Sequence, residues 1–290
     1  MQRSALPGLG RALVVDVPKL AVGVGIEAAW VGAHFVMYPF GLLSGPATRT
    51  IRRHNLSGLS PAQRGLVHHG VATAETPILL VHGIVDNHSI FTLLQRALRR
   101  RGFATVSSFD YGLLTRDIPA AAQLLGEAIE KLAADSGYER VHVVGHSLGG
   151  LIARFYVQRL GGDARVHTLV TLGTPHQGTE LARPLRRLPL LDQLSPESRL
   201  IRELAEPAAG CTTRFVVFYS DIDHLVWPSR NARLDHPDLQ VRNIPVRRVG
   251  HLSMPNNGQV AFRIASALAE LDPFETRRTG PRLSLEVGEE

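Results

Sequence analysis

A single cysteine, Cys211, rules out an intramolecular disulfide framework and leaves the redox compartment open. Lysine is nearly missing, with Lys19 and Lys131 the only two. The formal charge of +6 therefore comes from arginines spread along the chain. They form no basic stripe interleaved with aromatics, so no nucleic-acid partner is expected, although the charge would suit a nearby anionic lipid surface. Arg99-Arg100-Arg101, the densest run, reads as the exposed end of a helix. The absence of internal repeats excludes solenoids and arrays. No His/Asp/Glu/Cys cluster has ligand spacing, the His68-His69 pair included, so neither a catalytic metal nor a cofactor is expected. What remains is ordinary globular composition, 44% hydrophobic and 20% charged over 290 residues, enough for one large domain with a sizeable core.

Residues 1–70 read as an apolar segment followed by a linker. Leu20 to Leu43 is almost continuously apolar, broken by Glu27 and His34 and ended by Pro39, Gly41, Gly45 and Pro46. A spanning helix needs about 20 apolar residues, so the length suffices. Glu27 and His34 are seven apart and share one narrow helix face, where a lipid-exposed carboxylate would be costly. Three readings stay open: a membrane-inserted or interfacial anchor, a helix packed on the domain, and a long signal sequence. The first is preferred, and it makes membrane association through this segment the expectation.

From Pro77 onward strand-like and helix-like stretches alternate. Apolar strands are expected at 78–81, 104–109, 141–144, 166–172, 215–219 and 241–249. Helical spacing appears at 90–98, 118–132 and 258–271, and after the 145–149 stretch. Such alternation calls for an α/β fold, a mostly parallel sheet with helices on both faces, over residues 71–273. A polar tail, 274–290, follows. The insertion at 175–211 breaks the rhythm. Ser195-Pro196 predicts a helix start, and Leu200, Ile201 and Leu204 an apolar stripe, so the insertion is expected to form a small helical cap or lid.

The chain is organised around VHVVGHSLGGLIARF, residues 141–155. An apolar strand meets Gly145-His146-Ser147-Leu148-Gly149, and an apolar-periodic helix follows, which is the context of a nucleophile elbow. A serine projecting from so sharp a turn needs small neighbours, since side chains at Gly145 or Gly149 would meet adjacent backbone. The helix that begins there aims its free N–H groups and positive dipole end at the reacting oxygen. Ser147 is therefore the candidate nucleophile.

A serine hydroxyl needs a base, and the base needs a group that orients it. Functional residues of such sheets lie just beyond the carboxyl ends of the strands. Beyond 215–219 stand Asp221 and Asp223, of which Asp223 is preferred as the acid. Beyond the last strand stands His251, the candidate base. Among the other histidines, His146 is expected to pack under the elbow and His224 to face solvent. His176 follows a strand end but precedes the acid, the wrong order for the base. The tetrahedral intermediate needs backbone donors. The N–H of Leu148 and that of Ile84, in the His82-Gly83-Ile84 turn, are the candidates for this oxyanion hole.

PILLVHGIVDN, VHVVGHSLGGLIARFY, LVTLGTPHQGT, YSDIDHLV and VGHLSM, in this order, resemble the bacterial triacylglycerol lipases and esterases of the α/β-hydrolase superfamily. The resemblance covers roughly residues 75–271. It implies Ser147, Asp223 and His251 as a triad, with Ile84 and Leu148 as oxyanion donors, and it favours Asp223 over Asp221. The activity it implies is hydrolysis of carboxylic esters, lipid-like ones above all, through an acyl-serine. An acyltransferase using the same acyl-enzyme, or a binding scaffold without turnover, are the alternatives. The chain departs from the resemblance in its apolar 20–43 segment. It also lacks, around His251, the acidic calcium-binding constellation of the larger lipases.

Overall fold

A computed structural model describes residues 76–84, 88–111 and 117–269. The apolar 20–43 segment, the linker and the polar tail fall outside the described residues. Six strands, β1 (Ile78–Val81), β2 (Val106–Phe109), β3 (Val141–His146), β4 (Val166–Leu172), β5 (Arg214–Ser220) and β6 (Gln240–Val246), form one sheet in the order β2-β1-β3-β4-β5-β6. Every pairing is parallel. The helices are α1 (Thr92–Arg100), α2 (Ile118–Ser136), α3 (Leu148–Arg159), α4 (Pro189–Gln193), α5 (Arg199–Ala205) and α6 (Gly258–Ala269). This is the fold class expected from the alternation of periods.

Side chains alternate between the two faces of a strand, and here both faces are apolar. Leu79, Val81, Val143, Phe215 and Val217 join one core with α2 and α3. Ile78, Leu80, Val144, Val216 and Phe218 join a second core with α1 and α6. Burying each such side chain contributes about 1.5–3 kcal/mol, which is why parallel strands read as unbroken apolar runs. β6 is the exception. Gln240, Arg242 and Pro245 on it are exposed, as suits an edge strand, where a proline costs no ladder hydrogen bond.

Three local outcomes differ from the sequence reading. β6 ends at Val246, so Val249-Gly250-His251 lies in a loop rather than on the strand. A 3₁₀ turn, His88–Phe91, precedes α1. The cap of α5 is Ser198, not Ser195. Ser198 has the extended backbone a cap needs, and its hydroxyl accepts from the Ile201 N–H at 3.2 Å. Ser195 is fully buried in the turn after α4, where its carbonyl accepts the Ser198 N–H at 3.0 Å. The 175–211 insertion is otherwise helical as expected, with a 3₁₀ stretch, Glu180–Leu185, ahead of α4 and α5. Leu200, Ile201 and Leu204 are buried in the α2–α3 core. No helix among the described residues is long and apolar enough to cross a membrane.

Candidate active site

Ser147 sits between β3 and α3 with φ 52° and ψ −122°, a backbone region that non-glycine residues avoid at a cost of about 1–3 kcal/mol. Its neighbours make the turn feasible. A Cβ on Gly145 would fall 2.6 Å from the Gly150 Cα, and one on Gly149 would fall 2.3 Å from the Val81 carbonyl oxygen. The close approach at Gly149 lets α3 begin directly against the end of β1. Leu148, whose N–H is a candidate donor, is the first residue of α3.

Asp223 and His251, the candidate acid and base, meet. His251 Nδ1 lies 2.8 Å from Asp223 Oδ2, and both residues are buried. The other carboxylate oxygen accepts the Leu225 and Val226 N–H groups, each at 2.9 Å. Burial opposes charge on Asp223. The adjacent His251 and these hydrogen bonds outweigh it and hold the carboxyl below its ordinary value. Asp221 does something else. It is exposed, and its Oδ1 accepts the N–H of Arg248, at 3.2 Å, in a turn where Arg248 takes φ 59°.

The elbow and the His–Asp pair converge at the end of β4. The Ser147 N–H donates to the Leu172 carbonyl at 2.9 Å. The next residue, Gly173, with φ 54°, is pressed so closely on the pair that a Cβ there would lie 3.0 Å from His251 Nδ1 and 3.1 Å from Asp223 Oδ2. A second link runs through His146, whose Nε2 lies 3.1 Å from the His251 carbonyl and whose ring lies 4.9 Å from the His251 ring. His146 is thus buried by the elbow, as expected, but it also packs against His251. His224 is exposed, as expected.

His176 is buried with Nε2 2.9 Å from the Thr171 hydroxyl. Burial, then the nearby Arg154 charge, push its pKa well below the usual imidazole value. Arg154, itself buried on α3, ties three segments together. It donates to the Gln158 side chain at 2.6 Å, the His176 carbonyl at 2.9 Å and the Leu204 carbonyl at 2.8 Å. Arg159 of the same helix donates to the carbonyls of Glu203, Glu206 and Pro207. Two arginines of the elbow helix therefore hold the carboxyl end of α5, where cations are favoured.

Ile84 ends the turn after β1 and is 37% exposed. Tyr111, two residues beyond β2, holds that turn through the His82 and Gly83 carbonyls, at 2.8 Å each. Tyr111 and Gly173 carry no catalytic motif in the sequence. Both stand just past a strand's carboxyl end, a position that marks them as candidates without telling what they touch. No group of three His, Cys, Asp or Glu among the described residues could hold a metal ion.

A parallel sheet with a serine elbow and a His–Asp pair beyond its carboxyl edge defines the α/β-hydrolase fold, and solved structures agree. Aspergillus fumigatus lipase B matches 74% of this chain and 55% of its own at TM-score 0.57 and 18% identity. Bacillus licheniformis lipase BlEst2 in mature form matches 74% of this chain and 96% of its own at TM-score 0.56 and 17% identity. The chain belongs to the family described as "Domain of unknown function (DUF7379)", which matches residues 49–221. Triacylglycerol lipases of Pseudarthrobacter phenanthrenivorans and Pseudomonas fragi are each 32% identical, over 119 and 118 residues, or 38% of this chain. These matches span 36% and 38% of the two relatives' own length.

Proposed function

We propose that the chain is a serine hydrolase that cleaves carboxylic esters, lipid-like ones in particular. The observation that carries this reading is the strained Ser147 turn bonded to the end of β4, where Gly173 abuts the buried His251–Asp223 pair. With its Nδ1–H donated to Asp223, His251 has the tautomer whose Nε2 lone pair can accept the Ser147 proton. Ser147 Oγ then attacks the ester carbonyl, and the N–H groups of Leu148 and Ile84 receive the oxyanion. The protonated His251 returns its proton to the leaving alcohol, which leaves an acyl-serine that water hydrolyses by the same steps.

The lipid-like substrate is supported by the surroundings of the acid. Leu225 and Trp227, two and four residues past Asp223, are 50% and 59% exposed. The Thr179 hydroxyl bonds to the backbone of both Leu225 and Trp227, which ties this stretch to the insertion that carries the exposed Leu181 and Leu185. In this reading the insertion borders an apolar groove. The triacylglycerol lipase relatives point to the same substrate class.

Ser147→Ala should lower ester turnover by about 10⁴-fold or more while leaving the melting temperature nearly unchanged. Peptide mapping after a fluorophosphonate probe should find the label on Ser147. An alanine variant as active as the parent would end the assignment.

A further inference from the structure

Tyr111 is 6% exposed, and its hydroxyl lies 2.8 Å from the carbonyl oxygens of both His82 and Gly83. Its ring stacks on the His82 imidazole, with centroids 4.3 Å apart and planes within 14°. The Gly83 oxygen has a second donor in His82 Nδ1, at 2.9 Å. Asp110 Oδ1 lies 3.4 Å from His82 Nε2, an ion pair when that ring carries both protons, and its Oδ2 lies 2.8 Å from His88 Nδ1. None of these groups bonds the Ser147–His251–Asp223 set directly. Two of them, the Tyr111 hydroxyl and His82 Nδ1, meet on the carbonyl oxygen of one peptide unit.

That unit joins Gly83 to Ile84. A trans peptide is planar, so its C=O and N–H point in opposite directions. Whatever anchors the Gly83 oxygen therefore also aims the Ile84 N–H. Glycine offers little resistance to rotation about its own dihedrals. Without an anchor this peptide could turn over and present a carbonyl oxygen where the oxyanion needs a donor.

We infer that Tyr111 is a positioning residue for the oxyanion hole: its hydroxyl, through the Gly83 carbonyl, sets the direction of the Ile84 N–H. The inference rests on the ester-hydrolase reading above. His82 supplies the second hydrogen bond to the same oxygen, and ring stacking keeps phenol and imidazole in register. The benefit falls on the transition state, where negative charge builds on oxygen, and not on the neutral bound ester. Loss of the hydroxyl therefore acts on kcat and leaves KM in place.

The test compares Tyr111→Phe with the parent in kcat, KM and inhibition by an alkyl boronic acid, which forms a tetrahedral anionic adduct on the serine. Losing a direct oxyanion donor costs about 10²–10³-fold, so losing its anchor should lower kcat by about tenfold. Boronate inhibition should weaken by a similar factor, with KM within about twofold and the melting temperature little changed. An unchanged kcat, or a fall in which KM rises in step, overturns the inference. Should the phenylalanine variant melt early, a fluorinated tyrosine at position 111 whose phenol ionises near neutral pH gives an independent readout. Its phenolate cannot donate, so kcat should acquire a new alkaline limb, and a profile identical to the parent's overturns the inference. A parent protein that neither hydrolyses esters nor takes the phosphonate label at Ser147 brings down the hydrolase reading itself. A labelled, active parent beside an equally active Y111F protein sinks only the role of Tyr111.

Discussion

Asp221 and Asp223 stand two residues apart beyond β5, yet their surroundings separate them. Asp223 is buried against His251, and Asp221 lies in solvent bonded to a turn. The proposed mechanism needs a carboxylate that holds the His251 tautomer, and an amide at 223 would favour the wrong one. Asp223→Asn should therefore lower kcat by about 10³–10⁴-fold. Asp221→Asn should stay within about twofold of the parent, because it alters one exposed hydrogen bond. Equal losses in the two variants would refute the assignment of the acid. The placement of Ser147, Asp223 and His251 beyond the carboxyl ends of the strands was legible because each follows a strand in a fixed chain order. Tyr111, His146 and Gly173 were not, because their roles are contacts across the fold. His146 meets His251 over 105 residues, and Tyr111 meets His82 over 29. No local pattern encodes such a meeting.

Among the elements, strands and long helices followed from periodicity, since parallel strands buried on both faces leave apolar runs and helices leave an i, i+3, i+4 stripe. The ends were harder to read. The Ser195-Pro196 pair has the composition of a helix start, but Ser198 alone combines extended backbone with a hydroxyl facing an orphan N–H. The attachment of α5 was equally hidden, because it depends on Arg154, which reads in the sequence as one polar position on an amphipathic helix. All of its partners among the described residues are neutral oxygens, and burial, then the Arg159 charge, lower its pKa to about 9. Arg154→Met should leave the His176 and Leu204 carbonyls short of a donor, at a cost of about 2 kcal/mol in urea unfolding. Faster amide exchange should be confined to the loop after β4 and to α5. Arg154→Lys should not restore stability, since one ammonium cannot reproduce a planar fork that spans three acceptors. Full rescue by lysine would show that charge, not geometry, holds the insertion.

At the scale of the whole molecule, two buried histidines couple the fold to pH. His142 on β3 is fully buried, and neither ring nitrogen has a hydrogen-bond partner. Burial, then the neighbouring His167, Arg214 and Arg140, push its pKa well below the ordinary 6.5. His176 is shifted the same way, by burial and then by Arg154. In the unfolded chain both rings take up protons as the pH falls through 6.5, whereas in the folded protein they stay neutral. The unfolded state then binds more protons, so the contribution of each ring is whole above pH 6.5 and is lost progressively below it. The limiting slope is about 1.4 kcal/mol per pH unit for each ring. Asp223 and Asp163, both held below the ordinary 3.8, contribute stability that is present above that value and lost as the pH falls through their lower folded values. Acid destabilisation should thus come in two stages, the first set by the histidines. His142→Leu keeps a side chain of similar bulk in the α1–α6 core and removes one of the two rings. Its unfolding free energy, measured in urea, should lose up to about 1.4 kcal/mol per pH unit of the parent's pH dependence between 6.5 and 5. A slope equal to the parent's would mean that His142 gains a proton inside the fold, with the sheet shifting to admit it.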